Sequence, residues 1–317
     1  LDSYLHGNSE RLCQEAPVPV VAVTQRQDFP GGAANVAANV VHLGAEVSLL
    51  SVVGDDEAGD RLKLTLTQSG ISSQYLFSSS QRITLAKQRV MAGSHLLVRF
   101  DQGSTDIISA DLENQLIQQL TLLFPRYDVV IVSDYGYGIL TLKIIQTLAE
   151  LKQKHPTTLV VDSKQLKKYQ SVAPTVVKPN YHETIELLGL NKQLEQRAEQ
   201  IAPYSHYLLN LTGATVAAVT LDREGAILFT RDQAPVYVPA TPAPSHYTSG
   251  AGDTFVSTLA LAFAAKAPTH VAAYLAAAAT AVVVTQIGTT TCNTEELYQS
   301  LLEKNYPSLL NPIPSYA

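Results

Sequence analysis

Hydrophobic and polar positions follow two alternating patterns along most of the chain. Short continuous apolar runs are typical of strands that are buried on both faces. Such runs occur at residues 47–53, 128–134, 158–162, 175–178, 215–221 and 226–230. Longer segments with helical spacing lie between and after them, at residues 33–43, 57–68, 111–123, 141–154, 181–188, 250–265 and 269–286. Strands that alternate with helices in this way predict βαβ units and a mainly parallel sheet.

Two parts of the chain fall outside this alternation. Residues 17–23 form an apolar β-type segment, and the residues on either side of Gly93 alternate as in a hairpin. We therefore expect a small β-sheet lid built from residues of about 12–30 and 82–102. The predicted fold is α/β, a doubly wound and mainly parallel sheet flanked by helices, in a single domain over residues 1–317 that carries the lid.

Composition and charge narrow the functional classes. Hydrophobic residues make up 46% of the 317 residues and charged residues 16%, which is typical of a folded globular chain. The 22 Lys and Arg against 28 Asp and Glu give a net charge of −6. Such a surface repels polyphosphate backbones, so we expect no nucleic-acid partner. A negatively charged small substrate would need a local cluster of basic residues.

Cysteine content and apolar run lengths indicate a cytoplasmic protein. Cys13 and Cys292 stand outside CxxC spacing, so neither a disulfide framework nor a zinc site is expected. The longest apolar run, residues 271–284, is too short to span a bilayer and predicts a buried helix, so we expect no membrane partner. Met91 is the only methionine, and we expect further residues upstream of Leu1.

The small residues Gly250, Ala251 and Gly252 precede Asp253 at the start of a predicted helix. Small residues let a phosphate approach the backbone, and the first N–H groups of the helix can hold it. Asp253 is placed where it can take a proton from an attacking hydroxyl. The alternative is an ordinary helix start, where the helix dipole favours an aspartate.

A second glycine turn precedes the first predicted helix. Gly31 and Gly32 can bring backbone N–H groups close to a ligand, and Asn35 adds a polar amide in the first helical turn. The alternative is a tight turn followed by an asparagine near a helix start, which is common.

A third polar segment, residues 180–183, follows a predicted strand. Asn180 and Glu183 have the spacing of a capping box, which explains the pair without a ligand. The functional alternative is that both side chains face a triphosphate and orient Mg²⁺ through water, since Mg²⁺ binds few protein oxygens and keeps several waters.

Together and in this order, the three segments resemble the PfkB/ribokinase family of sugar kinases. The similarity extends from Asp2 to about Thr291. Within the family, residues 30–37, 99–101 and 133–135 are similar to the kinases of D-glycero-D-manno-heptose 7-phosphate. Bifunctional members of that group carry a second, nucleotidyltransferase domain with an HxGH motif. That motif is absent from these 317 residues, so the resemblance is to the kinase part alone.

The resemblance implies roles for the residues at matching positions. Asp253 would be the general base, and Gly250, Ala251 and Gly252 would form the anion hole. The residues implied to bind ATP are Asn180, Tyr181, His182, Glu183, Thr220, Gly225 and Gly288, with Asn180 and Glu183 holding Mg²⁺ through water. The residues implied to bind the sugar are Asp2, Gly31, Gly32, Asn35 and Asp134.

A phosphorylated sugar also needs cations, and the candidate lid supplies them. Lys87, Arg89 and Arg99 are our candidates, since arginine suits bidentate phosphate binding. Lys164 is a further candidate. Each of the four could equally be a solvated surface charge.

Two features depart from the family pattern. Tyr247 stands where relatives carry an acid that helps to organise a monovalent-cation site, so activation by such a cation is left open. Relatives also begin with a central strand upstream of what is Leu1 here. Without it a central sheet position would be open, and each apolar side chain left unburied would cost about 1.5–3 kcal/mol.

The sequence therefore predicts ATP-dependent phosphorylation of a sugar phosphate, at O1 of D-glycero-D-manno-heptose 7-phosphate, as a step towards lipopolysaccharide precursors. Two alternatives are a kinase of another sugar or nucleoside and a non-catalytic sugar- or nucleotide-binding relative. Relatives often dimerise through the lid, and the apolar residues of 96–100 predict a homodimer, unless they pack on their own domain.

Overall fold

The computed structural model describes residues 1–242, 249–286 and 288–303. The strands are β1 (Asp2–Leu12), β2 (Pro19–Phe29), β3 (Ser51–Gly54), β4 (Leu76–Ser79), β5 (Ala86–Ala92), β6 (His95–Gln102), β7 (Val129–Asp134), β8 (Thr158–Ser163), β9 (Val176–Val177), β10 (Val216–Thr220), β11 (Ala226–Thr230) and β12 (Val236–Val238). The helices are α1 (Ala33–His42), α2 (Glu57–Gln68), α3 (Ala110–Leu123), α4 (Leu142–Lys154), α5 (Tyr181–Leu188), α6 (Arg197–Ile201), α7 (Ser205–Thr212), α8 (Ala251–Ala264), α9 (Thr269–Val283) and α10 (Thr294–Glu303). The helices predicted at residues 57–68 and 181–188 have these bounds in the structure.

The main sheet runs in the order β12-β11-β10-β9-β8-β7. Strands β7 to β10 are parallel, and β11 and β12 add two antiparallel strands at one edge. Side chains of β8 alternate between two cores: Leu159 and Val161 pack on the side of α4 and α7, while Val160 packs on the side of α8 and α9. Both faces of the sheet are therefore buried, which explains the continuous apolar runs and confirms the doubly wound α/β prediction.

The alanine-rich segment predicted to be a buried helix forms α9. Its residues Ala272, Ala273 and Ala276 are fully buried against α8 and the sheet. Small side chains on this helix allow α9 to approach α8 closely. Among the described residues, no helix combines the length and the apolar character that crossing a membrane requires.

The lid is a separate sheet in the order β2-β1-β5-β6. The predicted hairpin around Gly93 is confirmed as the antiparallel pair β5–β6. The lid is larger than the predicted residues 12–30 and 82–102, because β1 also belongs to it and pairs parallel to β5. The polar sequence of β1 hid this strand from the hydrophobic pattern, since most of its far half is exposed.

A gap separates the main sheet from the short parallel pair β3–β4. Among the described residues, β7 pairs only with β8 and β3 only with β4. A cavity of about 870 Å³ lies between β7 and β3, lined largely by apolar side chains such as Leu49, Val53 and Val130. No described strand lies between β3 and β7. The strand predicted at residues 47–53 is correspondingly shorter, because residues 47–50 line this cavity without a β partner.

The loop after β7 offers a matched test of packing, because Gly136 and Gly138 share a φ of 75°. A Cβ on Gly138 would lie 2.0 Å from the carbonyl oxygen of Asp106, whereas a Cβ on Gly136 would meet nothing within 4 Å. Both alanine variants carry the backbone strain of positive φ, about 1 kcal/mol. We predict that Gly138→Ala lowers the free energy of unfolding by about 1–3 kcal/mol more than Gly136→Ala does. Equal denaturation midpoints for the two variants would contradict this packing.

Candidate active site

The carboxylate of Asp253 is held between two neutral hydrogen-bond donors at the start of α8. The side-chain amide of Asn35, in α1, donates to Oδ2 at 2.8 Å, and the hydroxyl of Tyr135, directly after β7, donates to Oδ1 at 2.8 Å. Gly250, with φ at 84°, precedes the helix, and a Cβ there would lie 2.8 Å from Nδ2 of Asn35. Glycine is therefore required for α1 and α8 to meet at this carboxylate.

The environment of Asp253 tunes it towards proton acceptance. Burial raises its pKa to about 6, although the hydrogen bonds from Asn35 and Tyr135 act in the opposite direction. The nearby carboxylate of Asp162 raises the pKa of Asp253 further, and the Lys178 ammonium lowers it. Asp253 is therefore ionised at neutral pH, yet more basic than an ordinary aspartate.

The turn before α8 keeps part of its backbone available for an anion. The N–H groups of Asp253 and Thr254 donate to the carbonyl of Gly250, both at 3.0 Å, so they are used within the helix. The N–H groups of Ala251 and Gly252 find no acceptor among residues 1–242, 249–286 and 288–303. Gly252 is also exposed. These two amides, at the positive end of a helix of 14 residues, can bind an anionic group.

A buried ion pair lies beneath this turn and was not among the predicted site residues. Nζ of Lys178, which follows β9, lies 3.1 Å from Oδ2 of Asp162 on β8. A Cβ on Gly252 would lie 3.7 Å from the same Nζ, which places the ammonium directly under the turn. Although burial favours the neutral amine, Asp162 holds the pKa of Lys178 above its usual value. The position of Lys178 directly after a parallel strand is the sequence feature that could have indicated this role. Ligand sites of parallel sheets lie at the carboxyl ends of the strands.

The second glycine turn brings the lid to α1. A Cβ on Gly31 would lie 3.0 Å from Cγ of Asp2, and a Cβ on Gly32, where φ is 55°, would lie 3.2 Å from the ring of Tyr135. Asp2 is buried at the start of β1 and accepts a hydrogen bond of 3.3 Å from Thr289 Oγ1. The predicted sugar-binding residues Asp2, Gly31, Gly32 and Asn35 are therefore brought together beside Asp253.

The lid cations Lys87, Arg89 and Arg99 share one face of the lid. Arg89 and Arg99 stand directly opposite each other on β5 and β6, and Lys87 lies two residues before Arg89. Arg89 is anchored, because it forms a 3.2 Å ion pair with Asp2 and donates to the Ser249 hydroxyl at 3.4 Å. Arg99 is half-exposed, and its guanidinium pairs with Asp101 at 2.8 Å.

Lys87 has a different environment from the two arginines. Its Nζ lies 5.1 Å from the ring centre of Tyr135, and it forms no ion pair within the described part of the chain. Lys164, the remaining candidate cation, is exposed and follows β8. Lys87 is thus the lid cation best placed to take a new anionic partner near the cleft.

Asn180 and Glu183 form the capping box that their spacing predicts. Oδ1 of Asn180 accepts from the Glu183 N–H at 2.8 Å, and Oε2 of Glu183 accepts from the Asn180 N–H at 2.9 Å. Burial raises the pKa of Glu183. Its other carboxylate oxygen accepts no hydrogen bond from the described residues, so it stays available for a water.

Of four other predicted nucleotide-binding residues, three lie at a strand end or in a loop, and the fourth points into the core. Thr220 forms an isolated parallel β-bridge with Asn180, which aligns the end of β10 with the start of α5. Gly225, with φ at 98°, closes the turn between β10 and β11, where a Cβ would lie 2.1 Å from the Val238 carbonyl oxygen. Gly288 lies in open space with φ at 91°. Tyr181 instead points into the core, where its hydroxyl donates to Gln200.

The remaining predicted positions have structural surroundings of their own. His182 is exposed at the first turn of α5. Oδ2 of Asp134 accepts hydrogen bonds from the hydroxyls of Ser163 and Tyr169, and Oδ1 accepts from the Gly136 N–H. Asp134 therefore braces the loop after β7, and its contact with a sugar stays a prediction. Tyr247, on which the monovalent-cation question rests, lies outside the described residues.

The donor set suits a water-mediated magnesium site. Within the described ranges, no group of three or more His, Cys, Asp or Glu side chains is arranged to hold a metal ion. The free oxygen of Glu183 and the nearby carboxylate of Asp162 could orient waters instead. Mg²⁺ commonly binds in this way, with most ligands supplied by phosphates and water.

Comparison with known proteins accords with this geometry. The family profile described as "pfkB family carbohydrate kinase" matches residues 3–296. The bifunctional protein HldE of Desulfatibacillum aliphaticivorans is 34% identical over 315 residues, which cover 99% of this chain and 64% of the relative. The HldE of Geobacter sulfurreducens is 35% identical over 301 residues, 95% of this chain and 61% of the relative. The chain thus spans about three fifths of the length of these relatives.

Solved structures with the same architecture show the fold. Phosphofructokinase-2 from Escherichia coli in complex with substrates and products superposes with a TM-score of 0.77 at 21% identity, over 96% of this chain and 95% of that chain. Ribokinase from Arabidopsis thaliana, complexed with ribose and ATP, superposes with a TM-score of 0.70 at 19% identity, over 95% of each chain. The predicted ribokinase-like fold is therefore confirmed.

Proposed function

Because the chain belongs to the pfkB family of carbohydrate kinases, we propose that it transfers the γ-phosphoryl group of ATP to O1 of D-glycero-D-manno-heptose 7-phosphate. The observation that carries the proposal is the carboxylate of Asp253, which two neutral donors orient beside the available amides of Ala251 and Gly252. A base and an anion site at one helix start are what phosphoryl transfer to a hydroxyl requires.

In the proposed reaction, Asp253 accepts the proton of the sugar O1 hydroxyl as that oxygen attacks the γ-phosphorus in line. The new bond joins O1 to phosphorus, and the bond to the β,γ-bridging oxygen breaks, so ADP leaves with the electron pair. The N–H groups of Ala251 and Gly252 stabilise negative charge on the transferring group, and Lys178 beneath the turn adds a positive charge. Positioning and electrostatics provide most of the rate enhancement.

We assign nucleotide binding to the edge formed by Asn180, Glu183, Thr220, Gly225 and Gly288. Mg²⁺, when bound, would neutralise negative charge on the phosphates. The chain contributes the free oxygen of Glu183, with Asn180 held beside it by the capping box, to orient metal-bound water.

The choice of a phosphorylated acceptor rests on the lid. Lys87, Arg89 and Arg99 share one face of the lid, in a chain of net charge −6. Lys87 is connected to the base through Tyr135, whose ring it approaches and whose hydroxyl contacts Asp253. Asp2 and Asp101 already pair with Arg89 and Arg99, so Lys87 is the one of these three cations that forms no ion pair with a described residue. A sugar phosphate whose O1 reaches Asp253 could place its distal phosphate against this face.

The opposite face of the lid supports a homodimer. Val90, Val98 and Leu5 share that face by strand register, and Phe100 lies beside Val98 on the same strand face. Val98 and Phe100 are 51% and 42% exposed. We propose that a second copy of the chain covers these apolar side chains, since such a surface is unfavourable in water.

Removal of the base is the first test of this function. We predict that Asp253→Asn keeps ATP binding but lowers kcat by about 10²–10⁴-fold, because a general base contributes that much. A coupled ADP-release assay and calorimetry with ATP measure the two properties. Asp111→Asn is a matched control, because it removes an exposed first-turn carboxylate from α3. Near-normal turnover by the Asp253 variant would overturn the assignment, whereas binding without turnover by the unaltered protein would favour a non-catalytic sugar or nucleotide binder.

Substitution in the lid tests the acceptor class. We predict that Lys87→Gln raises KM for the heptose 7-phosphate by about 10–100-fold while KM for ATP changes little, because only the sugar phosphate would contact Lys87. Lys154→Gln, in the last turn of α4, serves as a control. An equal loss with unphosphorylated heptose, or preference for an uncharged sugar or a nucleoside in a substrate panel, would refute the phosphate site.

The dimer is tested by mass in solution. Light scattering should give the mass of two chains, and Val98→Asp should shift the population towards monomers, because it places a charge in the apolar contact. Leu142→Asp, which alters an exposed leucine of α4 instead, should leave the mass unchanged. A monomeric unaltered protein would contradict the expectation.

A further inference from the structure

Tyr135 connects three parts of the site, a role that no sequence motif indicates. Its hydroxyl donates to Oδ1 of Asp253 at 2.8 Å. One face of its ring is approached by Lys87 Nζ at 5.1 Å from the ring centre. The ring also stacks on Tyr137, with centres 5.9 Å apart and planes 13° apart, and its edge abuts Gly32. The hydroxyl thus meets the base while the ring meets the lid and the glycine turn.

The hydroxyl of Tyr135 acts as a fixed donor. Burial, together with the negative charge of Asp253, raises the pKa of Tyr135 above its usual value, so the hydroxyl keeps its proton. Asn35 fixes the other carboxylate oxygen of Asp253. With one donor on each oxygen the carboxylate cannot rotate freely about its Cβ–Cγ bond. The lone pairs left over then point in a defined direction.

We propose that Tyr135 is a positioning residue that couples the lid to the base: its hydroxyl orients Asp253, and its ring seats Lys87. This inference deepens the proposed function and rests on it. A sugar phosphate that binds Lys87 would contact a cation positioned by the ring of Tyr135. The hydroxyl of the same residue orients the base. Lid closure and alignment of the carboxylate would then be linked through one rigid side chain.

Several charged groups from different elements face Asp253 and enter its titration. The charged groups are Asp162 near the end of β8 and Lys178 after β9, and the neutral partners are the hydroxyl of Tyr135 after β7 and the amide of Asn35 in α1. The variant Tyr135→Phe leaves all of these in place except one hydroxyl. It also keeps the ring on which Lys87 and Tyr137 rest.

The pH dependence of kcat/KM separates positioning from a general packing role. The base must be ionised, so activity rises as pH increases through the pKa of Asp253, which is about 6. Removing a donor to the charged carboxylate raises this pKa, and we expect the acid limb of Tyr135→Phe to move up by about one pH unit. On the plateau above the limb, kcat should fall by about 10-fold while both KM values stay within about 2-fold.

A second variant tests the ring. Tyr135→Leu removes the hydroxyl and the seat of Lys87 together, so it should show the same shift in the limb and also a higher KM for the sugar phosphate. Tyr137→Phe is the matched control, because its ring stacks in the same loop but its hydroxyl does not contact Asp253. Thermal unfolding of each variant verifies that it is folded at the assay temperature.

Each outcome decides for or against the coupling. An unshifted limb in Tyr135→Phe, or an equal shift in Tyr137→Phe, would overturn it, as would an unchanged sugar-phosphate KM in Tyr135→Leu. Failure of the proposed function looks different, because Asp253→Asn would then keep its turnover. If Asp253→Asn is inactive and Tyr135→Phe behaves as the unaltered enzyme, only the role of Tyr135 is rejected.

Discussion

The basicity of the Asp253 carboxylate depends on its contact with neutral hydrogen-bond donors rather than with a cation. An ammonium or guanidinium in direct contact would stabilise the charged form and weaken the base. Lys178, a lysine that acts on Asp253, is instead paired with Asp162. The Asp162 carboxylate compensates much of the lysine's positive charge, and the ammonium stays beneath the turn. Asn35 and Tyr135 supply direction without full charge. The site therefore keeps a basic carboxylate and an electropositive anion site a few ångströms apart.

Burial of the main sheet on both faces places these groups at one edge. Because Val160 and its neighbours Leu159 and Val161 pack into opposite cores, polar side chains can emerge only where the strands end. Tyr135, Asp162 and Lys178 all lie at or just beyond the carboxyl ends of parallel strands. The helix α8 then begins above the same edge, which brings Asp253 to them from more than 70 residues away in the chain.

Local signals explain what could be predicted from the sequence. The bounds of α5 follow from the capping box at Asn180 and the left-handed Gly189 that ends the helix, and both lie within ten residues. The anion turn at Gly250 and the amide of Asn35 are likewise short motifs. In contrast, β1 has a polar sequence, and residues 47–50 are apolar but lack a strand partner. Pairing with residues far away in the chain determines whether these segments form strands. Hydrophobic periodicity carries no information about that pairing.

The same limit applies to the site. Tyr135 and Lys178 stand next to residues that the sequence analysis singled out, yet their roles depend on partners from distant parts of the chain. Arg89 shows the complementary case: its charge predicts an anion site, but in the structure Asp2 already occupies its guanidinium at 3.2 Å. An incoming phosphate would have to compete with that buried carboxylate for Arg89 and with Asp101 for Arg99. Lys87 stands between Asp2 and Asp101 in the strand register but forms an ion pair with neither, and its ammonium lies over the ring of Tyr135. Of the three cations it can therefore bind a phosphate at the smallest cost.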